Sequence, residues 1–225
     1  MCAAAEKPQQ DILDASIYFP TLIYQIKKPE FLEAVGKVAE NALVDVRKNQ
    51  PLNEIYPVHI TGNLFDNPEI LEFQYYVGGT AINLLNEQGY NLVGVEPYFS
   101  EMFCQEHFKH SAMEQHVHGS GSQIVGFYFL ETPENCSKVV FHDPRISKQM
   151  ISWNEKDVSQ ATFASNAINF TPTSGLLMFT NAWLSHSFSR HENDLPIKFI
   201  HFNIGLRPSP MVEFNKCIAP AAEVI

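Results

Sequence analysis

The stretch Glu114-Gln115-His116-Val117-His118 is answered far downstream by Asn181-Ala182-Trp183-Leu184-Ser185-His186-Ser187-Phe188, and alternating apolar runs fill the space between them. Successive side chains of a β-strand point to opposite faces, so His116 and His118 share a face and can offer two imidazoles to one metal ion. A third imidazole, His186, then arrives from a distant strand. This pattern predicts a mononuclear metal centre inside a β-barrel. The small residues Gly119-Ser120-Gly121-Ser122 leave the barrel mouth open beside the pair.

Working outward, the second half of the chain reads as strands. Val95 to Phe108, Gln123 to Glu131, Lys138 to His142, Gly175 to Thr180, Ser185 to Arg190 and Ile197 to Gly205 are rich in aromatic and β-branched residues and are separated by Pro, Gly, Asn or Ser clusters. The first half differs. Ile17 to Tyr24 reads as a strand interrupted by Pro20, hence at a sheet edge. From Glu30 to Lys48, Phe31, Leu32, Val35, Val38, Ala42, Leu43 and Val46 recur at helical spacing. A second helix, 68–88, opens at Asn67-Pro68-Glu69, where Asn caps free amides and Pro suits the first turn, and closes at Gly89. Gly78-Gly79 predicts a short break within it, since each glycine costs about 1 kcal/mol in a helix interior.

The expected fold class is therefore α+β, mainly β, with two N-terminal helices bracing one outer face of a sheet sandwich or barrel. A mobile arm spans 1–12, one domain spans 13–207 with its barrel at 95–207, and a loosely docked tail spans 208–225, where Pro208 and Pro210 break regular structure.

Composition bounds the function. Of 225 residues 45% are hydrophobic and 18% charged, with 17 Phe and 8 Tyr, which suits an aromatic core and argues against disorder. A net charge of -10, with no Lys/Arg cluster, gives no pull toward nucleic acid or anionic membranes. Cys2, Cys104, Cys136 and Cys217 are scattered without a CxxC pair, as expected of reduced thiols in a cytoplasmic protein. Met1 to Asp11 lacks the basic and apolar pattern of a secretory signal, and no apolar run is long enough for a transmembrane helix.

Of the nine histidines, His59, His110 and His191 read as hydrogen-bonded core or rim residues. His116 and His118 differ by sharing one face, and His186 strengthens them, because the turn Pro172-Thr173-Ser174-Gly175 and the strand Leu176 to Thr180 return the chain toward the pair. Asn181 and Trp183 are expected to shape the turn before His186, with Trp183 in the core. Asp143-Pro144-Arg145 either pairs locally to fix a turn or sets Arg145 at the site rim to meet an anionic substrate group.

The segments Gln123 to Leu130, Val139 to Arg145, Gly175 to Phe188 and Lys198 to Asn203, in this order, resemble the 2-oxoglutarate/Fe(II)-dependent oxygenases, in a branch known mostly from marine bacteria and cyanobacterial viruses. The resemblance covers about 95–205. It implies a double-stranded β-helix, a jelly-roll or cupin-like barrel, with iron(II), 2-oxoglutarate and dioxygen at one open end. It places the superfamily's His-x-Asp/Glu dyad on His116 and His118 and the distal histidine on His186. A histidine thus stands where most relatives carry a carboxylate, and Glu114 is the nearest reserve. An iron held by neutral imidazoles keeps its full charge, which favours an anionic cosubstrate.

The resemblance further implies a basic anchor for the far carboxylate of 2-oxoglutarate. Lys198, twelve residues past His186, is the first candidate and Arg190 the second. Tyr128 is a candidate hydrogen-bond partner, although strand parity equally allows Phe129 to face the barrel. The implied activity is hydroxylation of a C–H bond in a small molecule or protein side chain, with release of succinate and carbon dioxide. Two rival readings remain: a cupin-type metalloenzyme without 2-oxoglutarate, since His116-x-His118 followed by Gln123 resembles the first cupin motif, and a noncatalytic barrel. The tail after Arg207 is placed to pack on a second copy in a homodimer.

Overall fold

Strand parity divides the work of this chain between two faces. The computed structural model describes residues 13–119, 121–151 and 153–209; the expected arm at 1–12 and the tail beyond Ser209 lie outside the described residues. In chain order the elements are β1 (Ile23–Lys27), α1 (Leu32–Asn49), β2 (Val58–Ile60), α2 (Leu71–Glu87), β3 (Val95–His107), β4 (Met113–His116), β5 (Ser122–Glu131), β6 (Val139–His142), α3 (Ile146–Met150), β7 (Ala167–Phe170), β8 (Leu176–Asn181), β9 (His186–Phe188) and β10 (Ile197–Pro208). A major sheet of order β1-β8-β5-β10-β3-β2 faces a minor sheet of order β4-β9-β6-β7. All pairings are antiparallel. This is a double-stranded β-helix.

On the outer face of the major sheet, Tyr128, Leu177, Phe179, Ile200 and Phe202 meet Val35, Leu43, Phe73, Val77 and Leu85 of the two helices in one apolar cluster. On the inner face, Val125, Phe127, Phe129, Met178 and Phe199 meet Val139, Phe141, Leu184 and Phe188 of the opposite wall in a second. Burying each such side chain contributes about 1.5–3 kcal/mol. The two clusters therefore fix which way every residue of β5 and β10 points, because a one-residue slip would exchange the faces.

Several local expectations are corrected. The first strand begins at Ile23 rather than Ile17: Phe19 sits at φ 56 and Pro20 has no N–H, so the segment before β1 cannot extend a ladder. β1 does lie at the sheet edge. α2 runs unbroken through Gly78-Gly79, because Phe73, Val77, Ala81, Leu84 and Leu85 are buried on its inner stripe and offset the glycine cost. Asn67 caps the helical turn ahead of α2 by accepting from the Glu69 amide at 2.8 Å. Trp183 is half exposed rather than core, whereas Asn181 is buried and donates to Gln88 Oε1 at 2.8 Å. β2, β7 and α3 are short additions that the sequence pattern did not announce.

His107 is the last residue of β3. It is fully buried against Phe188 and Phe199, with Nε2 donating to Gln105 Oε1 at 2.7 Å and Nδ1 unpartnered. Burial lowers its pKa from 6.5 to about 3.

Two outcomes follow from this packing. A Cβ on Gly126 would stand 2.2 Å from Phe202 Cζ and 2.5 Å from the Met178 carbonyl, so Gly126→Ala is expected to lose about 1–3 kcal/mol in urea denaturation; an unchanged midpoint would contradict the close approach. The folded imidazole of His107 stays neutral while the unfolded one takes a proton near 6.5, so its contribution is complete above that pH and is lost as pH falls from 6.5 toward about 3. Stability curves of His107→Leu should be flatter than wild type across that window by up to about 1.4 kcal/mol per pH unit, and parallel curves would remove His107 from the account.

Candidate metal centre

Antiparallel pairing of β4 with β9 sets His116 directly opposite His186. His118 lies just past the end of β4, where its amide donates to the Ala182 carbonyl at 2.9 Å, so the loop rather than the strand pleat presents it. That corrects the expected shared strand face. The three rings nevertheless converge: one nitrogen from each of His116, His118 and His186 lies within 4.8 Å of the others. Ring centroids of His116 and His186 are 4.6 Å apart, and His118 stacks on His186 at 5.1 Å.

Backbone carbonyls set the tautomers of two rings. His116 Nδ1 donates to the Glu114 carbonyl at 2.8 Å, and His186 Nδ1 donates to the Leu184 carbonyl at 3.0 Å. A neutral imidazole that donates from Nδ1 keeps its lone pair on Nε2, the state a metal requires. Burial lowers the pKa of His186 from 6.5 to about 3 and that of His118 to about 4, with neighbouring histidines acting in the same direction. Both are therefore neutral donors at neutral pH.

His118 is held differently. Its Nε2 lies 3.3 Å from His186 Nε2, while its Nδ1 accepts from Asn203 Nδ2 at 3.0 Å, and the same amide nitrogen donates to Glu101 Oε2 at 2.6 Å. His201 stacks on His118 at 4.9 Å and is buried. Sequence reading missed Glu101, His201 and Asn203. The signal was present: Phe199, His201 and Asn203 alternate along β10, so polar residues recur on one face of an apolar strand.

The other expected site residues lie elsewhere. Lys198 falls on the helix-facing side of β10, bonded to Glu40 of α1 at 3.1 Å and to Glu131 at 3.0 Å, with Glu106 at 3.8 Å. One residue of parity separates it from inward-facing Phe199. Arg190 is on the far side of β9, donating to the His110 carbonyl at 3.0 Å. Tyr128 also faces the helices, packing on Phe73 and donating to the Lys28 carbonyl at 2.7 Å, while Phe129 faces inward. Glu114 contributes its carbonyl, and its exposed side chain stays outside the cluster. His59 and His191 are buried hydrogen-bonded residues: His59 reaches Glu106 and the Gln50 carbonyl, and His191 donates to the Leu195 carbonyl.

Arg145 does line a cavity. About 540 Å³ in volume, it is bounded by Thr21, Ile23, Phe141, Phe163 and Leu184, and among the described residues Arg145 is the only Lys or Arg on its wall. Phe141 also lies 6.1 Å from the His186 ring, and Leu184 holds that ring through its carbonyl, so cavity and histidines share a partition. Arg145 forms a two-bond pair with Asp143, both at 2.9 Å, which holds the Asp143 carboxyl well below its usual range.

The donor set fits a divalent iron: neutral imidazoles, two of them pre-set through Nδ1 donors. The barrel interior beside it is aromatic, with Phe127 5.4 Å from His186 and Phe188 stacked on Phe199 at 4.8 Å. No lysine or arginine is buried among the described residues. Among the described residues, the interior therefore supplies no buried cation for the far carboxylate of 2-oxoglutarate.

Residues 102–203 match the family model described as "Putative 2OG-Fe(II) oxygenase". No curated protein matches in sequence. Among solved structures, the non-heme alpha ketoglutarate dependent carbocyclase SnoK from nogalamycin biosynthesis is similar with a TM-score of 0.60 at 11% identity, covering 87% of this chain and 85% of that one. The viral collagen prolyl hydroxylase of Paramecium Bursaria Chlorella virus-1, solved with 2OG, gives 0.53 at 11% identity over 81% of this chain and 94% of the other. HygX from Streptomyces hygroscopicus, solved with nickel and 2-oxoglutarate, gives 0.51 at 12% identity over 91% and 92%. At such identities the likeness is one of fold.

Isothermal titration with Fe(II) under anaerobic conditions separates ligands from bystanders. His186→Ala is expected to weaken binding by at least tenfold, whereas Lys198→Met should leave it unchanged while lowering thermal stability, since Glu106 is buried beside it. Loss of 2-oxoglutarate affinity in Fe(II)-loaded Lys198→Met would return that residue to the site as the cosubstrate anchor.

Proposed function

We propose that the chain is an iron(II)-dependent oxygenase of the 2-oxoglutarate/Fe(II)-dependent superfamily whose metal is held by His116, His118 and His186, a reading supported by the family match over residues 102–203 and by the shared barrel fold. The observation that carries the reading is the convergence of three imidazole nitrogens within 4.8 Å, from β4, the loop after it and β9. Bound there, iron(II) supplies dioxygen activation for oxidation of a substrate C–H bond, with 2-oxoglutarate, the superfamily's cosubstrate, converted to succinate and carbon dioxide.

The chain's own residues prepare that chemistry. The Glu114 and Leu184 carbonyls aim Nε2 of His116 and His186 inward. Three protein ligands leave open coordination positions for other ligands. Phe127 and Phe141 close the wall behind His186 against water. The 540 Å³ cavity that Arg145 lines lies on the other side of Phe141 and Leu184, which separate it from the histidines.

One observation favours a second reading. A dicarboxylate seated beneath the histidines would lose its hydration against Phe127, Phe188 and Phe199, with no buried lysine or arginine among the described residues to compensate. That environment suits a cupin-type iron oxygenase that does not use 2-oxoglutarate.

Anaerobic addition of iron(II) and then 2-oxoglutarate discriminates the two. On the first reading a visible charge-transfer band develops, and air then yields succinate that His116→Ala and His186→Ala fail to produce. Iron uptake with neither band nor succinate supports the second reading. Retained succinate formation in both variants would remove the three-histidine centre.

A further inference from the structure

Glu101, His118 and His201 bring a second set of three donor atoms within 4.8 Å of one another, on the major-sheet side of the His118 ring. Glu101 comes from β3 and His201 from β10, and the register that pairs Asn203 with Glu101 and His201 with Phe103 places both on the inner face. Between them stands the Asn203 amide, whose nitrogen donates at once to Glu101 Oε2 at 2.6 Å and to His118 Nδ1 at 3.0 Å. Two acceptors thus converge on one point of positive charge. The other end of that amide, Oδ1, is buried and has no partner.

We propose that this is a second position for a divalent transition-metal ion, ligated by Glu101, by His118 through Nδ1, by His201, and by Asn203 Oδ1 after a half-turn of its amide. A cation replaces the amide hydrogens as the positive group between Glu101 and His118, and the half-turn brings the orphaned oxygen onto it as a fourth donor, with the amide N–H groups taking the place the oxygen had. Two imidazoles, a carboxylate and an amide oxygen are donors suited to first-row divalent ions. The carboxylate also gives this position the anionic ligand that the first one lacks.

His118 links the two positions. A neutral imidazole carries one lone pair and one N–H. Ligation through Nε2 at the first position needs the hydrogen on Nδ1, and ligation through Nδ1 at the second needs it on Nε2. With Asn203 Nδ2 donating to Nδ1, the ring is set for the second. His118 therefore serves one position at a time, and the Asn203 amide reports which.

The test uses Co(II) alone, titrated into the full chain and followed by its visible d–d bands, with circular dichroism as the check on folding. The double variant His116→Ala/His186→Ala is expected to bind about one equivalent. Adding Glu101→Gln or His201→Ala to it should weaken that binding roughly tenfold or more. A folded double variant that takes up no Co(II), or one whose uptake is indifferent to Glu101 and His201, overturns the proposal while leaving the three-histidine centre standing. Wild-type uptake lost in His201→Ala but kept in His186→Ala supports the proposal and sinks the three-histidine centre instead. Should the double variant not fold, paramagnetically shifted ring protons of His201 in Co(II)-loaded wild type, absent from His201→Gln, carry the test, and a spectrum identical in the two proteins overturns it.

Discussion

Two backbone carbonyls hold the centre of this molecule in order. Glu114 and Leu184 each accept an Nδ1–H from a histidine two residues further on, and the β4–β9 register then turns the freed Nε2 lone pairs of His116 and His186 toward one another. Each bond is local, but its value depends on burial. Around His186 the low-dielectric interior strengthens that hydrogen bond and disfavours the protonated ring, so the Leu184 carbonyl sets its tautomer and burial its neutral state.

The same aromatics constrain what else the barrel can hold. β10 assigns Lys198, Ile200 and Phe202 to the helices and Phe199, His201 and Asn203 to the interior. Its inward positions therefore carry rings and neutral polar groups, and the cation is spent on the outer side in a network with Glu40, Glu106 and Arg47. That allocation follows from packing. Exchanging the faces would bury a charge against Phe127 and set Phe199 among Glu40, Glu106 and Glu131. The site is accordingly strong in metal donors and poor in buried cations, with the nearest cavity cation, Arg145, tied to Asp143.

Much of this was legible in the amino-acid sequence. Long alternating runs announced β3, β5 and β10 to within a few residues and helical periodicity announced α1, because in each case many residues vote for one period, while the signals at its two ends announced α2. Convergence of His116, His118 and His186 was also legible, from spacing on one side and family resemblance on the other. What failed were inferences resting on one residue's parity. Lys198 and Tyr128 each sit a single position from an inward-facing phenylalanine, and periodicity alone does not say which of two buried faces is the inner one when helices cover the outer face. His201, Asn203 and Glu101 were missed for a related reason: their significance lies in register between strands distant in sequence, and register is fixed by packing that no single segment contains.

The most direct measurement is X-ray absorption at the iron K-edge on the anaerobically Fe(II)-loaded protein. The account predicts a first shell of nitrogen and oxygen at about 2.0–2.2 Å, with outer-shell scattering from two or three imidazole rings that falls by one ring in His186→Ala. An oxygen-only shell without imidazole scattering, or a spectrum unchanged by that substitution, would contradict it.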